Sequence, residues 1–376
     1  MTATSIFKKF SSFPHFSWYK NPESYAPFSL QWIYVFKAIL TSFLLLLIIF
    51  YWNLPAGSSL MCAAPLFMMS GDRSLVKDMF WQVPSGFVIG ILFGLLGLNL
   101  IGLYWPIALL MMAFWNAAWI YLSSLKDYLN IPCRIISITP LILFNMAGFG
   151  QINLIPSAIE ILLGLSFLGI WGFVLIDHLV FPIKNNFPKN KIKINLNIKN
   201  FNLDFLKFDW GYFILALQTM LSVLFILLIA YLTNFPGISF ITPAIISCVV
   251  IATPSSIKLK SNLSNRIIGA VFGGLLGILF VFLINQCPLT WLMISSFIVS
   301  IGIIAYLAQI HMRFMSMGLQ AGFAFIAITA PGIESTGDIN AGLIRLGGIF
   351  YGCAVSYFMA YGLSFLLKQK SSGDPL

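Results

Sequence analysis

Charged residues are scarce in this sequence. Of 376 residues, 11 are acidic and 21 are basic, so charged side chains make up 9% of the chain. A soluble domain carries about a quarter charged residues, because its surface must be hydrated. The scarcity therefore argues against an ordinary soluble protein. The hydrophobic content of 59% and the mean hydropathy of +0.93 indicate a membrane protein instead.

Residues suited to metal or covalent chemistry are also few. The chain has three histidines on separate segments and no C-x-x-C pair, so we expect neither a metal site nor disulfides. The cysteines lie in or next to apolar runs and are expected to be small buried side chains: Cys62, Cys133, Cys248, Cys287 and Cys353. No H-E-x-x-H, G-x-S-x-G or Walker P-loop motif occurs. The sequence thus predicts no enzyme, no cofactor and no ATP hydrolysis.

Apolar runs fill most of the chain. A membrane-spanning helix needs about 20 apolar residues. Runs of roughly this kind cover residues 31–53, 57–70, 84–104, 106–123, 131–148 and 158–181, then 211–232, 237–253, 265–285, 289–308, 314–330 and 341–367. The fold class predicted is an all-α polytopic membrane protein with about twelve transmembrane helices.

Turns that contain basic residues alternate along the chain with turns that contain none. One set of turns holds Arg73 and Lys77, Lys126 and Arg134, the 184–207 stretch, Lys258, Lys260 and Arg266, and Arg313. The turns between them, at 53–59, 98–104, 148–157, 232–237, 285–289 and 331–341, have no Lys or Arg. Basic loops face the cytoplasm. This pattern predicts cytoplasmic termini and accounts for the net charge of +10 through loops facing anionic lipid, without nucleic acid as a partner.

The two halves of the chain resemble each other. FGLLG at 93–97 corresponds to GGLLG at 273–277, and the Asn-Leu-Pro turn at 53–55 corresponds to Asn-Phe-Pro at 234–236. Six spans per half is an even number, so both halves enter from the same side and form parallel repeats. The predicted regions are a cytoplasmic interfacial tail (1–30), a first six-helix repeat (31–183), a basic linker (184–209), a second six-helix repeat (210–368) and a cytoplasmic tail (369–376).

Two spans in corresponding positions, 57–70 and 237–253, are short and contain Pro65 and Pro243. Paired, proline-interrupted segments favour a transport pathway, with re-entrant loops as the alternative. Glycines at four-residue steps, including Gly90 and Gly94 and then Gly273 and Gly277, predict close helix packing. The same glycine faces could also let helices slide during transport.

Ionisable residues inside spans are costly and are therefore functional candidates. Arg345 opens the last span and Glu160 opens the sixth, so they are expected either to pair or to serve an anion path. Arg266 is either an inside anchor or part of a cytoplasmic vestibule. Lys37 is expected to extend to the lipid headgroups. Asp177 and His178 are either interfacial or part of a proton relay.

The two halves share one order of elements. Each half opens with a long helix, a proline turn and a short span with a central proline, and a glycine-rich span follows, best seen as NRIIGAVFGGLLG at 265–277. Each half closes with a long glycine-containing helix, as in LIRLGGIFYGCAVSYFMAYG at 343–362. In these features the chain resembles the fusaric acid resistance family, the aromatic acid exporter group. Larger relatives carry a substantial cytoplasmic domain, and this chain resembles a compact, membrane-only member.

The resemblance implies an inner-membrane exporter of small organic anions, such as aromatic carboxylates. Without an ATP site, export would draw on an ion or proton gradient or on partners, and the proton gradient is the expected source. The resemblance also implies a periplasmic adaptor and an outer-membrane channel as partners, besides membrane lipids. A wider relationship to plant anion channels implies an anion path through a pseudo-dimeric bundle, with Arg345 and Arg266 along it. A passive anion channel and a non-transporting membrane anchor stay open as alternatives.

Overall fold

A computed structural model shows an all-helical protein throughout the part of the chain that it describes. The described residues are 28–54, 58–69, 76–101, 105–125, 127–148, 151–179, 208–233, 237–253, 256–287, 289–310, 312–334 and 339–371. Most of the predicted N-terminal tail and of the basic linker, together with residues 372–376, lie outside these ranges.

The helices follow the apolar runs closely. The first half contains α1 (Phe28–Tyr51), a 3-10 helix (Ser58–Ala63) leading into α2 (Ala64–Met69), α3 (Val76–Ile101), α4 (Trp105–Leu125) and α5 (Asp127–Gly148). After a short 3-10 turn (Ile152–Leu154), α6 comprises Ile155–Gly164, the π-helical Leu165–Ile170 and Trp171–Leu179. The second half contains α7 (Trp210–Thr233), α8 (Gly237–Ile251), α9 (Ser256–Gln286), α10 (Thr290–Ile310), α11 (Met312–Glu334) and α12 (Ile339–Ser371).

Local chemistry sets two of the helix ends. Asn53 has a φ of 46°, and the next amide, that of Leu54, donates to the carbonyl of Ile49 at 3.2 Å. A left-handed residue followed by this bond is the Schellman ending of a helix, and Asn tolerates that conformation better than other non-glycine residues. Asp209 begins α7, because its carboxylate accepts the amides of Gly211 at 2.7 Å and Tyr212 at 3.1 Å.

Prolines lie inside several helices rather than at their ends. The prediction that the third span begins at Pro84 is wrong, since α3 starts at Val76 and contains Pro84. Pro132 and Pro140 lie in the same way inside α5, and Pro243 lies inside α8. Membrane helices tolerate such prolines because neighbouring helices and hydroxyl side chains satisfy the freed backbone groups.

Within the described residues, nine helices are long and apolar enough to cross a membrane. Shorter apolar stretches lie within two further helices, Phe240–Ile251 in α8 and Met317–Thr329 in α11. The protein is therefore a polytopic helical membrane protein. The 3-10 helix and α2 have six residues each, about 21 Å together, and the 15 residues of α8 span about 22 Å. The hydrocarbon core is about 30 Å thick, so a full crossing by either requires flanking backbone buried in protein.

Helices of the two halves pack in matching pairs. Helix α3 packs against α5, and α9 packs against α11. Helix α8 packs against α12, as the 3-10 helix packs against the π-helical part of α6. Between the halves, α4 packs against α7 and α10 packs against α1. Each short element also contacts the fifth helix of the opposite half, α8 on α5 and the 3-10 helix on α11.

Glycines lie where α3 meets α5 and where α9 meets α11. A Cβ atom added at them would lie 2.7 Å from Thr139 Cβ at Gly90, 2.7 Å from Leu143 Cδ1 at Gly94, 1.9 Å from the Ala321 carbonyl oxygen at Gly273 and 2.9 Å from Ile328 Cβ at Gly277. Contacts under 3.0 Å leave no room for a side chain. The absence of a side chain thus lets these helix backbones approach, which gains van der Waals contact in lipid.

Four of the five cysteines are buried: Cys62, Cys133, Cys248 and Cys353. The expectation that all five are buried is wrong for Cys287, which is exposed just after the end of α9. Its position in a turn between two spans, rather than against a neighbouring helix, explains the difference.

Candidate functional site

Helix α8 is enclosed by helices from both halves. It packs against α12, α7 and α9 of its own half and against α5 of the first half. Its residues Ala244, Ile245, Cys248 and Val249 are buried. Side chains from either half can therefore reach the carboxyl-terminal end of this short helix.

Arg134 of α5 binds that end of α8. Its Nη1 donates to the carbonyls of Val249 at 2.9 Å and Val250 at 2.8 Å, and its Nη2 donates to the carbonyl of Ala252 at 2.7 Å. The last carbonyls of a helix have no intrahelical donor and carry partial negative charge. The guanidinium therefore caps α8. The prediction that Arg134 lies in a basic turn is wrong, because α5 already begins at Asp127.

Arg266 of α9 joins α8 to α11. Its Nε donates to Ser247 Oγ at 3.0 Å, and its Nη1 donates to Gln320 Oε1. The residue is only 5% exposed. It lines a cavity of about 90 Å³ together with Val250, Ile251, Asn262, Asn265 and Gln320. Three of these lining residues have amide side chains. The cavity therefore offers polar as well as apolar contacts beside the buried positive charge of Arg266.

Neither arginine has a carboxylate within salt-bridge distance in the described part of the chain. A guanidinium stays protonated in proteins, and burying a charge without an ionic partner is costly. Carbonyl, hydroxyl and amide oxygens reduce that cost without cancelling the charge. Arg134 and Arg266 thus give the surroundings of α8 an excess of positive charge that an anion can neutralise.

A second polar centre joins α1 to α6. Lys37 Nζ donates to Asp177 Oδ1 in an ion pair, and the Lys37 side chain is 0% exposed, whereas that of Asp177 is 23% exposed. Lys37 Nζ also lies 5.2 Å from the centre of the Tyr34 ring, within cation–π range. The prediction that Lys37 extends to the headgroups is wrong, because Trp171–Leu179 of α6 packs against α1 and supplies an acidic partner.

Gln218 of α7 corresponds to Lys37 of α1. Each lies sixteen positions before the asparagine of its Asn-x-Pro turn. Four residues later, a hydroxyl donates back to its carbonyl: Thr41 at 2.8 Å and Ser222 at 2.9 Å. Gln218 Nε2 reaches the carbonyl of Ser356 on α12 at 3.4 Å. The first and last helices are thus joined by an ion pair in one half and by a neutral hydrogen bond in the other.

Arg345 and Glu160 do not pair with each other. Arg345 Nη1 donates to the carbonyl of Ala327 on α11. Glu160 is exposed on Ile155–Gly164 of α6, which packs against α3, α5 and the 3-10 helix. The expected Glu160–Arg345 pair is therefore wrong, because the two helices have different neighbours.

The remaining predicted residues lie near these two centres. Pro65 is buried in α2, and Pro243 is partly buried in α8, where its carbonyl accepts the Ser247 hydroxyl at 2.6 Å. His178 follows Asp177 in α6, but its side chain is outside the described part. Among the described residues, no group of three or more His, Cys, Asp or Glu is placed to hold a metal ion.

Sequence reasoning missed Arg134, Gln218 and Gln320 as members of these centres. Gln218 carried a detectable signal, since aligning the two Asn-x-Pro turns places it opposite Lys37. Arg134 and Gln320 carried none, because their partners are a backbone segment and a side chain far away along the chain.

The comparison with protein families agrees with the resemblance found in the sequence. The model of the family described as fusaric acid resistance protein-like matches residues 211–359. This region covers α7 to α11 and most of α12, including Ser247, Arg266, Gln320 and Arg345. No match was found among curated proteins or among solved structures. Over its second half, this membrane protein is similar to the fusaric acid resistance protein-like family.

Proposed function

We propose that this protein exports small organic anions, with aromatic carboxylates as the expected class, across the inner membrane of a bacterium. The observation that carries the proposal is the pair formed by the partly buried Arg134 and the buried Arg266, which approach α8 from opposite halves. In the described part of the chain neither has a carboxylate partner. An arginine fork matches a carboxylate in shape and charge, so an anionic substrate suits this surplus of positive charge.

The size of the Arg266 cavity supports recognition of a small anionic group. At about 90 Å³ it is smaller than the ~150 Å³ cavity that binds benzene in another protein. A carboxylate fits beside Arg266, Asn262 and Gln320, whereas an attached aromatic ring must lie outside the cavity. In this geometry the cavity therefore has room for the carboxylate of the substrate only. Passage of the aromatic ring requires the surrounding helices to rearrange.

Matching helix pairs support two parallel repeats that move against each other. Substrate sites in such transporters lie at interrupted helices between the repeats. Helix α8 and the 58–69 segment are both short and contain a proline, Pro243 and Pro65 respectively. Each also contacts the opposite half of the chain. We assign the anion path to the space between them. Arg345 and Glu160, on helices that close the two halves, flank that path.

The proposal also covers the orientation of the protein in the membrane, its energy source and its partner proteins. The basic turns favour cytoplasmic termini, with export toward the uncharged turns. The lack of an ATP-binding motif favours the proton gradient as the energy source, with Asp177 and His178 as the relay. A periplasmic adaptor protein and an outer-membrane channel would receive the exported anion.

The test is anion flux in proteoliposomes that contain the full chain, with and without an imposed pH gradient. Labelled benzoate and 4-hydroxybenzoate serve as the first panel. We expect Arg266→Gln to lower the initial rate at least tenfold. The matched control is Lys260→Gln, which removes one positive charge from an exposed position on the same helix and should stay within twofold of wild type.

Other outcomes separate the alternatives. Flux that follows the electrochemical gradient of the anion and ignores the pH gradient would replace the exporter with a passive channel. Absence of flux for every panel member, in wild-type protein that is folded and inserted, would overturn the aromatic-acid assignment and favour a membrane anchor. Equal loss in the Arg266 and Lys260 variants would remove Arg266 from the path.

A further inference from the structure

We propose that Asp177 is the proton-binding group that couples export to the proton gradient, that Lys37 is its internal counter-ion, and that only the first half of the chain carries such a site. This inference rests on the proposed export function and adds the identity, location and number of the coupling sites.

Only one partner of the ion pair is exposed. Lys37 is wholly buried, whereas 23% of the Asp177 side chain is exposed, so Asp177 is the partner that lies nearer the surface of the protein. When the carboxylate takes up one proton it becomes a neutral acid, and the ion pair with Lys37 is broken. Release of the same proton on the other side of the membrane restores the carboxylate and the ion pair. No further reactant is needed.

Few other ionisable groups lie on the elements around Asp177. Trp171–Leu179 packs against α1, α2, α3 and the π-helical part of α6. Helix α1 brings Lys37 and Tyr34 to the site, and the sequences of α2 and the π-helix contain no ionisable residue. Helix α3 has Lys77 and Asp78 in its first turn, and His178 follows Asp177 in the chain. Asp177 is therefore the acidic group in direct contact with Lys37.

The second half lacks an acidic group at the matching place. Gln218 stands where Lys37 stands, and it bonds a backbone carbonyl on α12 rather than a side chain. The sequences of α7 and α12 contain no Asp or Glu. The contact between the first and last helices is thus an ion pair in the first half and a neutral hydrogen bond in the second half. One such lysine–aspartate pair among the described helices implies one coupling proton per transport cycle.

A continuous series of contacts links this pair to the arginine cavity. On α1, Ser42 Oγ donates to the carbonyl of Cys62 in the 3-10 helix at 3.3 Å. In α2, the side chain of Leu66 occupies the space above Gly322 of α11, where an added Cβ would lie 2.2 Å from Leu66 Cδ1. Two residues earlier on α11, Gln320 holds Arg266. Breaking the ion pair can therefore shift packed elements that reach the anion site.

The experiment separates anion movement from proton coupling in proteoliposomes with benzoate as the probe. Counterflow exchange of labelled benzoate, without any gradient, reports binding and movement. Uphill accumulation driven by a pH gradient, together with a pH dye inside the vesicles, reports coupling. We expect Asp177→Asn to keep counterflow within about threefold of wild type and to lose uphill accumulation at least tenfold. This split between two readouts is not expected from a general structural defect.

Two further variants keep the test decisive. Lys37→Gln with Asp177→Asn removes both charges and copies the residue at position 218, so it avoids an unpaired buried lysine if the single variant does not fold. It should behave like Asp177→Asn. The matched control is Asp209→Asn, an exposed carboxylate replaced by another good helix cap, which should accumulate benzoate as wild type does.

The outcomes distinguish the two proposals. If wild-type protein moves no benzoate or related anion, the export function fails whatever Asp177 does. If wild-type accumulation is driven by the pH gradient and remains so in the double variant, export stands and the Asp177 assignment is overturned. A ratio of two or more protons per benzoate would overturn the single-site inference, and a ratio near one supports it.

Discussion

Arg134 Nη2 lies 2.7 Å from the carbonyl oxygen of Ala252, so a side chain of the first half caps a helix of the second half. Bonds to Val249 and Val250 complete the contact. The two halves are therefore joined by more than apolar packing, and the end of α8 depends on a residue more than a hundred positions earlier in the chain.

Replacing Arg134 should loosen α8. Arg134→Gln cannot serve three carbonyls at once, and hydrogen bonds to a charged group contribute about 1.5–3 kcal/mol each. We expect a loss of roughly 2–4 kcal/mol in unfolding free energy, seen as a lower melting temperature of detergent-solubilised protein. Lys260→Gln is the control for loss of one positive charge. An unchanged melting temperature in Arg134→Gln would show that the cap adds no stability.

Removing one partner of the buried ion pair should cost more than removing both. Asp177→Ala leaves Lys37 buried without its carboxylate, which costs about 3–5 kcal/mol for a buried pair. The double variant Lys37→Gln/Asp177→Ala has no charge to bury and should recover much of this loss. Chemical unfolding of the four proteins in a double-mutant cycle gives the coupling energy directly. Additive effects of the two changes would contradict the contact.

Substitution of Gly273 by alanine, which adds one methyl group, should destabilise the protein. The Cβ of Gly273→Ala would lie 1.9 Å from the carbonyl oxygen of Ala321, so α9 and α11 must separate. Overpacking of this kind costs about 1–3 kcal/mol. Gly172→Ala is the matched control, because a Cβ there has no neighbour within 4 Å. Thermal denaturation should show a clear drop for the first variant and none for the second; equal melting temperatures would contradict the packing.

Cysteine labelling tests the orientation. Cys287 is exposed in a turn without basic residues, whereas Cys62, Cys133, Cys248 and Cys353 are buried. A membrane-impermeant maleimide added to spheroplasts should therefore label wild-type protein once and Cys287→Ser not at all. Labelling only after the membrane is opened would place this turn in the cytoplasm and reverse the predicted orientation.

The sequence by itself determined the class of protein and the position of its helices. Span length, hydropathy and the Asn-x-Pro turns are local properties, and lipid requires every backbone group in a span to be satisfied within a helix. The same reasoning located the short segments around Pro65 and Pro243 and pointed to Arg266.

Only the tertiary structure decided which polar residues meet. Membrane helices are apolar on most faces, so their sequences give little sign of which face packs inward. Lys37 near the end of a span suits the headgroups as well as a buried partner, and only the position of Asp177 on a neighbouring helix decides between them. Arg134 likewise became a cap because α5 lies against the end of α8. A side chain's role here depends on the neighbour that folding brings to it, and that neighbour is distant in the sequence.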